Sequence, residues 1–334
     1  MRLSWLATVV SLLCLPLASF SHHSTAPHYD RDQPVKFTGV VNEFEFINPH
    51  VVLHVEVAAD NGESIVTWVC ISSAANTLRR RGWTARQFVP GQYVTVSGIA
   101  ARRDPFGCAF TSVEVTGGRV DEPGIVSPAS PLPEVDEPPV LAGNWMRDRT
   151  RRSEARPPIS ANPDAFTAAG LAAQAGYDQR FDDPSFECSA ASITRAWDEP
   201  GTPTAIEQTN QQLVIRHEYM DTVRTIQLGT REHPPDLAAR PYGHSVGWYE
   251  GSTLVIDTIG FEAGVLTPHP GILHSAQLHT VERLSLSPEE GTMELEWVAE
   301  DPLFFGEPLT GSIRFTSSPF SVEPYGCVQE KAQR

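Results

Sequence analysis

The sequence is short of positive charge: 25 Lys and Arg stand against 41 Asp and Glu, a formal net charge of −16. A surface of that sign repels polyphosphates and anionic lipid, which argues against nucleic acid and membrane surfaces as partners. Cysteine is scarce as well, five in 334 residues. No Cys-x-x-Cys occurs, so thiolate-bound zinc and thiol exchange are poor fits. Beyond the first residues no apolar run is long enough to cross a bilayer as a helix, and no stable membrane anchor is expected. The stretch Gly243-His-Ser-Val-Gly247 does not centre its serine between glycines, and no strand–helix alternation surrounds it. That excludes the nucleophile elbow of a serine hydrolase.

What is present starts with an export signal. Arg2, the apolar run Trp5 to Leu17 and the small-x-small site Ser19-Phe-Ser21 read as a secretory signal peptide over residues 1–21. The expected location is periplasmic or secreted. Removal of the signal takes Cys14 with it and leaves Cys70, Cys108, Cys188 and Cys327. Of the three possible pairings, Cys70–Cys108 with Cys188–Cys327 keeps each bridge inside one domain, and an exported chain favours both. A hydrophobic fraction of 40% over this length is enough for two globular cores.

Residues 22–119 read as one domain. Alternating segments at Val35 to Phe46, Val51 to Val57 and Ser64 to Ile71 precede a helix from Ala74 to Arg81, stopped at Gly82-Trp83. Two further strands follow, after Pro90-Gly91 and over Ala109 to Thr116. Five strands with a helix after the third is the order of an OB-like barrel. Residues 120–140 are rich in proline and acids and form a semi-rigid linker. Residues 141–334 open on Gly143-x-Trp145 and an irregular, partly helical region. About eight strands then follow, joined by short turns such as Met220-Asp221. The fold class is therefore mainly β: an OB-like barrel followed by a calycin- or lipocalin-like antiparallel barrel. A two-sheet sandwich would produce a similar pattern.

The first domain resembles an uncharacterised family of small exported bacterial proteins. The resemblance rests on His22-His-Ser24, Tyr29-Asp30, Asn48-Pro-His50, Trp68, Gly82-Trp83 and Pro90-Gly-x-x-Val-x-Val-x-Gly98. The second half is similar to another uncharacterised exported module through Gly243-His-Ser-Val-Gly-Trp-Tyr-Glu-Gly251, Leu254-Val-Ile-Asp-Thr-x-Gly-Phe261 and Asp301-Pro302. Relatives usually carry Glu-Gly-Asp where this chain has Glu250-Gly-Ser252. Both resemblances imply export and β architecture and bring no established activity.

Three chemistries compete for the function. Cleavage after Ser21 makes His22 the first residue, whose amine and imidazole chelate copper together, with His23, His50 and His54 as further ligands. His50 and His54, four apart on a strand, would share a face. The bland alternative is a turn at Asn48-Pro-His50 and a floppy terminus. In the second half His244, Glu250, Asp257 and Glu282 offer acid–base groups for an isomerase, lyase or cyclase. Asp257 alternates onto the face of Val255, and Glu282 onto that of Thr280 and Leu284, so each needs a partner or a raised pKa. Their bland alternative is a structural ion pair with Arg224 or Arg283. The preferred expectation is a small, largely apolar ligand in the second barrel, stacked by Trp145, Trp248, Tyr249, Phe261 and Trp297, with His244 and Glu250 as polar contacts. No protein partner is indicated.

Overall fold

The computed structural model describes residues 28–58, 64–115, 118–121, 140–148, 165–287 and 289–329. The signal segment, His22, His23 and most of the proline-rich linker lie outside these residues.

The first alternating stretches form β1 (Tyr29–Glu45), β2 (Val52–Ala58) and β3 (Ile65–Ile71). The helix α1 (Ala75–Arg80), β4 (Tyr93–Ala101) and β5 (Gly107–Val115) follow. β1 pairs antiparallel with β2 and β4, β2 with β3, and β4 with β5. A parallel contact of β3 with β5 closes the ring, with β6 (Gly118–Asp121) added beside β5. This is the expected five-stranded OB-like barrel. Alternation turns Val41, Leu53, Val55, Val94, Val96 and Phe110 into one core, because strand side chains have a period of two. Cys70 and Cys108 sit opposite each other in the closing pair and are bonded. α1 stops where Gly82 adopts φ +88°, a conformation costly to any residue with a Cβ, and Trp83 and Phe88 turn inward behind it.

The second unit starts with β7 (Gly143–Arg147). The helices α2 (Ala168–Gly176), α3 (Gln179–Asp182) and α4 (Ile193–Asp198) lead to β8 (Thr204–Gln208), β9 (Gln212–His217) and β10 (Thr222–Leu228). Next come β11 (His244–Glu250) and β12 (Thr253–Ile259), a side hairpin of β13 (Gly264–Thr267) and β14 (Ile272–His274), then β15 (His279–Ser287), β16 (Thr292–Glu300) and β17 (Leu309–Ser317). Nine of these strands form a closed barrel in the order β10-β11-β12-β15-β16-β17-β7-β8-β9. The sheet therefore curls on itself instead of splitting into a sandwich. Two details differ from the expected up-and-down order of about eight strands. The short β7 completes the ring between β17 and β8. The β10–β11 pair is parallel, which requires a crossover, and residues 229–243 supply it.

The barrels meet at α1. Arg80 and Asn76 donate to the buried Glu218 carboxylate beyond β9, and the Asn48 side chain donates to the Tyr325 carbonyl in the C-terminal tail. The second disulfide, Cys188–Cys327, anchors that tail, so both pairings expected from the sequence are formed.

Candidate functional site

The barrel closes over only a short stretch where β10 and β11 run side by side. Their parallel pairing is limited to Ile226, Gln227 and Leu228 against Ser245, Val246 and Gly247. The first half of β10 has no β11 neighbour, because β11 begins only at His244 and is preceded by the turn at Arg240 to Gly243. A cavity of about 400 Å³ occupies the gap, lined by Val223, Gln227, Arg240, Tyr242 and His244. Arg224 and Ser245, both buried, lie at its inner end. Gly243 is needed at the turn: its φ is +64°, and a Cβ there would come within 2.7 Å of the Ile259 carbonyl oxygen.

His244 is the end of a chain of side chains on the outer face of the barrel. Its Nδ1 lies 2.8 Å from Nδ1 of His233, a residue of the crossover. His233 Nε2 lies 2.8 Å from Asp257 Oδ1 on β12, and His279 Nε2 of β15 lies 2.7 Å from Asp257 Oδ2. His279 Nδ1 then faces Glu300 at 3.5 Å. Desolvation first, then His233 and Arg240, hold the His244 imidazole below the usual histidine range. Partial burial pushes Asp257 up, but the hydrogen bonds from His279 and His233 outweigh it and keep the carboxyl ionised below its ordinary range. The Asp257 contact raises His279.

Inside the barrel a second polar group backs the cleft. Arg224 grips Glu282 through two bonds, Nη1 to Oε1 at 3.0 Å and Nη2 to Oε2 at 2.7 Å, and also reaches the hydroxyls of Ser245 and Thr258. Trp197 of α4 donates its Nε1–H to Glu282 at 2.7 Å. His217 lies edge-on to the Trp197 ring. Burial first, then the Arg224 charge, drive the His217 pKa down to about 3. Arg224 Nε and His217 Nε2 are buried without a hydrogen-bond partner among the described residues.

The residues singled out in the sequence separate into five places. His244 and Asp257 share the outer relay. Glu282 faces inward in the ion pair with Arg224. Glu250 lies at the far end of β11, exposed, bonded to Trp248 Nε1 at 3.0 Å and to Arg283 at 2.9 Å. Trp248, on the outer face, carries the Arg231 guanidinium 4.6 Å from its ring centre. Tyr249 points inward and bonds Gln208. Trp145, Phe261 and Trp297 are core residues, and the Trp297 ring packs against the bare backbone of Gly311. In the first barrel His54 Nε2 lies 2.8 Å from Glu45 and opposite Glu43, so that three donor atoms fall within 4.8 Å of one another. His50 precedes β2 and is not part of that group.

Sequence reading missed His233, Arg240 and Tyr242. All three lie in the crossover, where no periodicity marks a face. Asp257 itself was the available signal, since a carboxylate beside Val255 requires a partner.

The fold and site define a protein of two closed β-barrels with a polar cleft in the wall of the second. The model of a family of unknown function (DUF6152) matches residues 9–108, so the first barrel is similar to that family, for which no activity is established. No curated protein and no solved structure matches the chain.

Proposed function

We propose that the protein is exported and that its C-terminal barrel binds a small organic ligand carrying an anionic group in the cleft between β10 and β11. The supporting observation is the cavity itself, whose volume of about 400 Å³ is in the range of small-molecule sites. Tyr242, Pro241 and Val223 offer an apolar flank, and Arg240 beside His244 offers donors for a carboxylate or similar group. This ligand is more polar than the one expected from the aromatic residues, because Trp145, Phe261 and Trp297 are committed to the core. Export is supported by the N-terminal signal pattern and two disulfides; no described helix is long and apolar enough to cross a membrane.

Native mass spectrometry on protein recovered from the exported fraction tests this reading. A stoichiometric small-molecule adduct is expected on the native chain. It should be absent from Val223→Trp, which fills the cleft from an exposed position. An adduct of equal occupancy in both proteins, or none in the native one, would reject the site.

A second reading is divalent metal binding on the first barrel, supported by the Glu43, Glu45 and His54 donors. Imidazole with carboxylates suits copper or zinc. Titration with each ion should give one equivalent bound, lost in His54→Ala; equal binding by that variant would count against it.

A further inference from the structure

We propose that the cleft is a proton-transfer site in which His244 acts as general base toward the bound ligand, its Nε2 kept unprotonated by a relay through His233 to Asp257. This inference rests on the reading of the cleft as a ligand site.

Asp257, ionised, only accepts, so His233 Nε2 and His279 Nε2 must both carry hydrogen to bond it at 2.8 and 2.7 Å. In the proposed relay His233 is neutral and protonated on Nε2, which leaves a lone pair on Nδ1. The 2.8 Å contact between the two Nδ1 atoms then requires the hydrogen to belong to His244. His244 is left with its lone pair on Nε2, and with Nδ1 turned to His233, Nε2 is the nitrogen available to the cleft it lines. The charged and titratable groups around this ring and its cleft are Arg240 and Tyr242 from the turn before β11, Arg224 from β10, His233 from the crossover and Asp257 from β12, with His279 and Glu300 one contact further away.

The chemistry balances without an oxidant or reductant. The His244 Nε2 lone pair takes a proton from a C–H or O–H bond of the ligand, whose electron pair stays behind as an enolate or alkoxide facing Arg240. The Nδ1 proton of His244 moves to His233 Nδ1, and the resulting imidazolium is neutralised by Asp257. Return of a proton to a different ligand atom completes an isomerisation; loss of a leaving group completes an elimination. His244 is the catalytic residue, and His233 and Asp257 are positioning residues. A purely structural role, pinning the crossover to the wall, would need only the His233–Asp257 bond. It would not require a third imidazole, locked in one tautomer, at the cleft.

The test starts with nitrogen-15 NMR of the histidine side chains in the whole protein, which needs no ligand and is independent of whether the cleft binds one. His244 is expected as the Nδ1–H tautomer near neutral pH, and His233 as Nε2–H. Asp257→Asn should release that lock and mix the His244 tautomers, whereas His279→Gln, which leaves the His233 contact in place, should not. His244 protonated on Nε2, or unchanged in Asp257→Asn, would overturn the proposal. As a functional arm, 5-nitrobenzisoxazole is opened by a single proton abstraction. The native protein should open it with a rate about 100-fold or more above His244→Gln. Equal rates for the two proteins overturn the proposal.

Discussion

Arg224 and Glu282 meet inside the second barrel as a two-bond ion pair, and their side chains are 2% and 1% exposed. Removing one partner strands a charge in the interior, which costs about 3–5 kcal/mol, whereas replacing both by apolar residues of similar volume costs little. Glu282→Gln is therefore expected to lower the denaturant midpoint sharply. The double variant Arg224→Met with Glu282→Leu should recover most of the loss.

His217 makes the fold sensitive to acid. Its pKa falls from an ordinary 6.5 to about 3 on folding. Below pH 6.5 the unfolded chain binds a proton that the folded chain refuses. This contribution is complete above pH 6.5 and is lost as pH drops, by roughly 4–5 kcal/mol by pH 3. His217→Gln, which keeps a polar atom for the Thr204 hydroxyl, should flatten the stability profile over that interval in denaturant titrations.

The Asp257–His279 contact has the opposite window on its upper side. Asp257 is depressed on folding, so its contribution is present above about pH 4 and lost as pH falls through its folded value. His279 is raised, so its contribution is present below about pH 6.5 and lost as pH rises through its folded value. The pair stabilises most between these limits. Both groups are partly exposed, and after screening His279→Gln should cost about 1 kcal/mol at pH 5.5 and less at pH 8.

The Cys188–Cys327 bond closes a loop of sequence separation 139. Loop-closure entropy assigns about 5 kcal/mol to a bridge of that span. C188A/C327A should lower stability by that order. It should also raise amide exchange in the tail around Tyr325, whose backbone is held by the Asp221 carboxylate and the Asn48 side chain.

Much of the architecture was legible because strands of period two announce both their existence and their buried face. Leu254, Ile256 and Thr258 point inward and Asp257 outward, as alternation requires. The OB-like order followed from a helix placed after the third strand. The disulfide pairing followed from two cysteines in each half. Less of the site was legible. Trp145 and Trp297 have the composition of a binding surface but are packed in the core, and nothing local distinguishes an aromatic that stacks on a ligand from one that seats against Gly311.

By itself the amino-acid sequence determined the two β-rich units, the cysteine pairs and the alternation that sets Asp257 on one face with Val255, all consequences of short-range periodicity and chain geometry. Tertiary structure alone decided that β10 and β11 run parallel, that a gap opens between them, and that His233 crosses from residues 229–243 to join His244 and Asp257. Those contacts link groups 11 and 24 residues apart through a crossover without periodicity. Their positions depend on how the barrel closes, which no single stretch of the chain encodes.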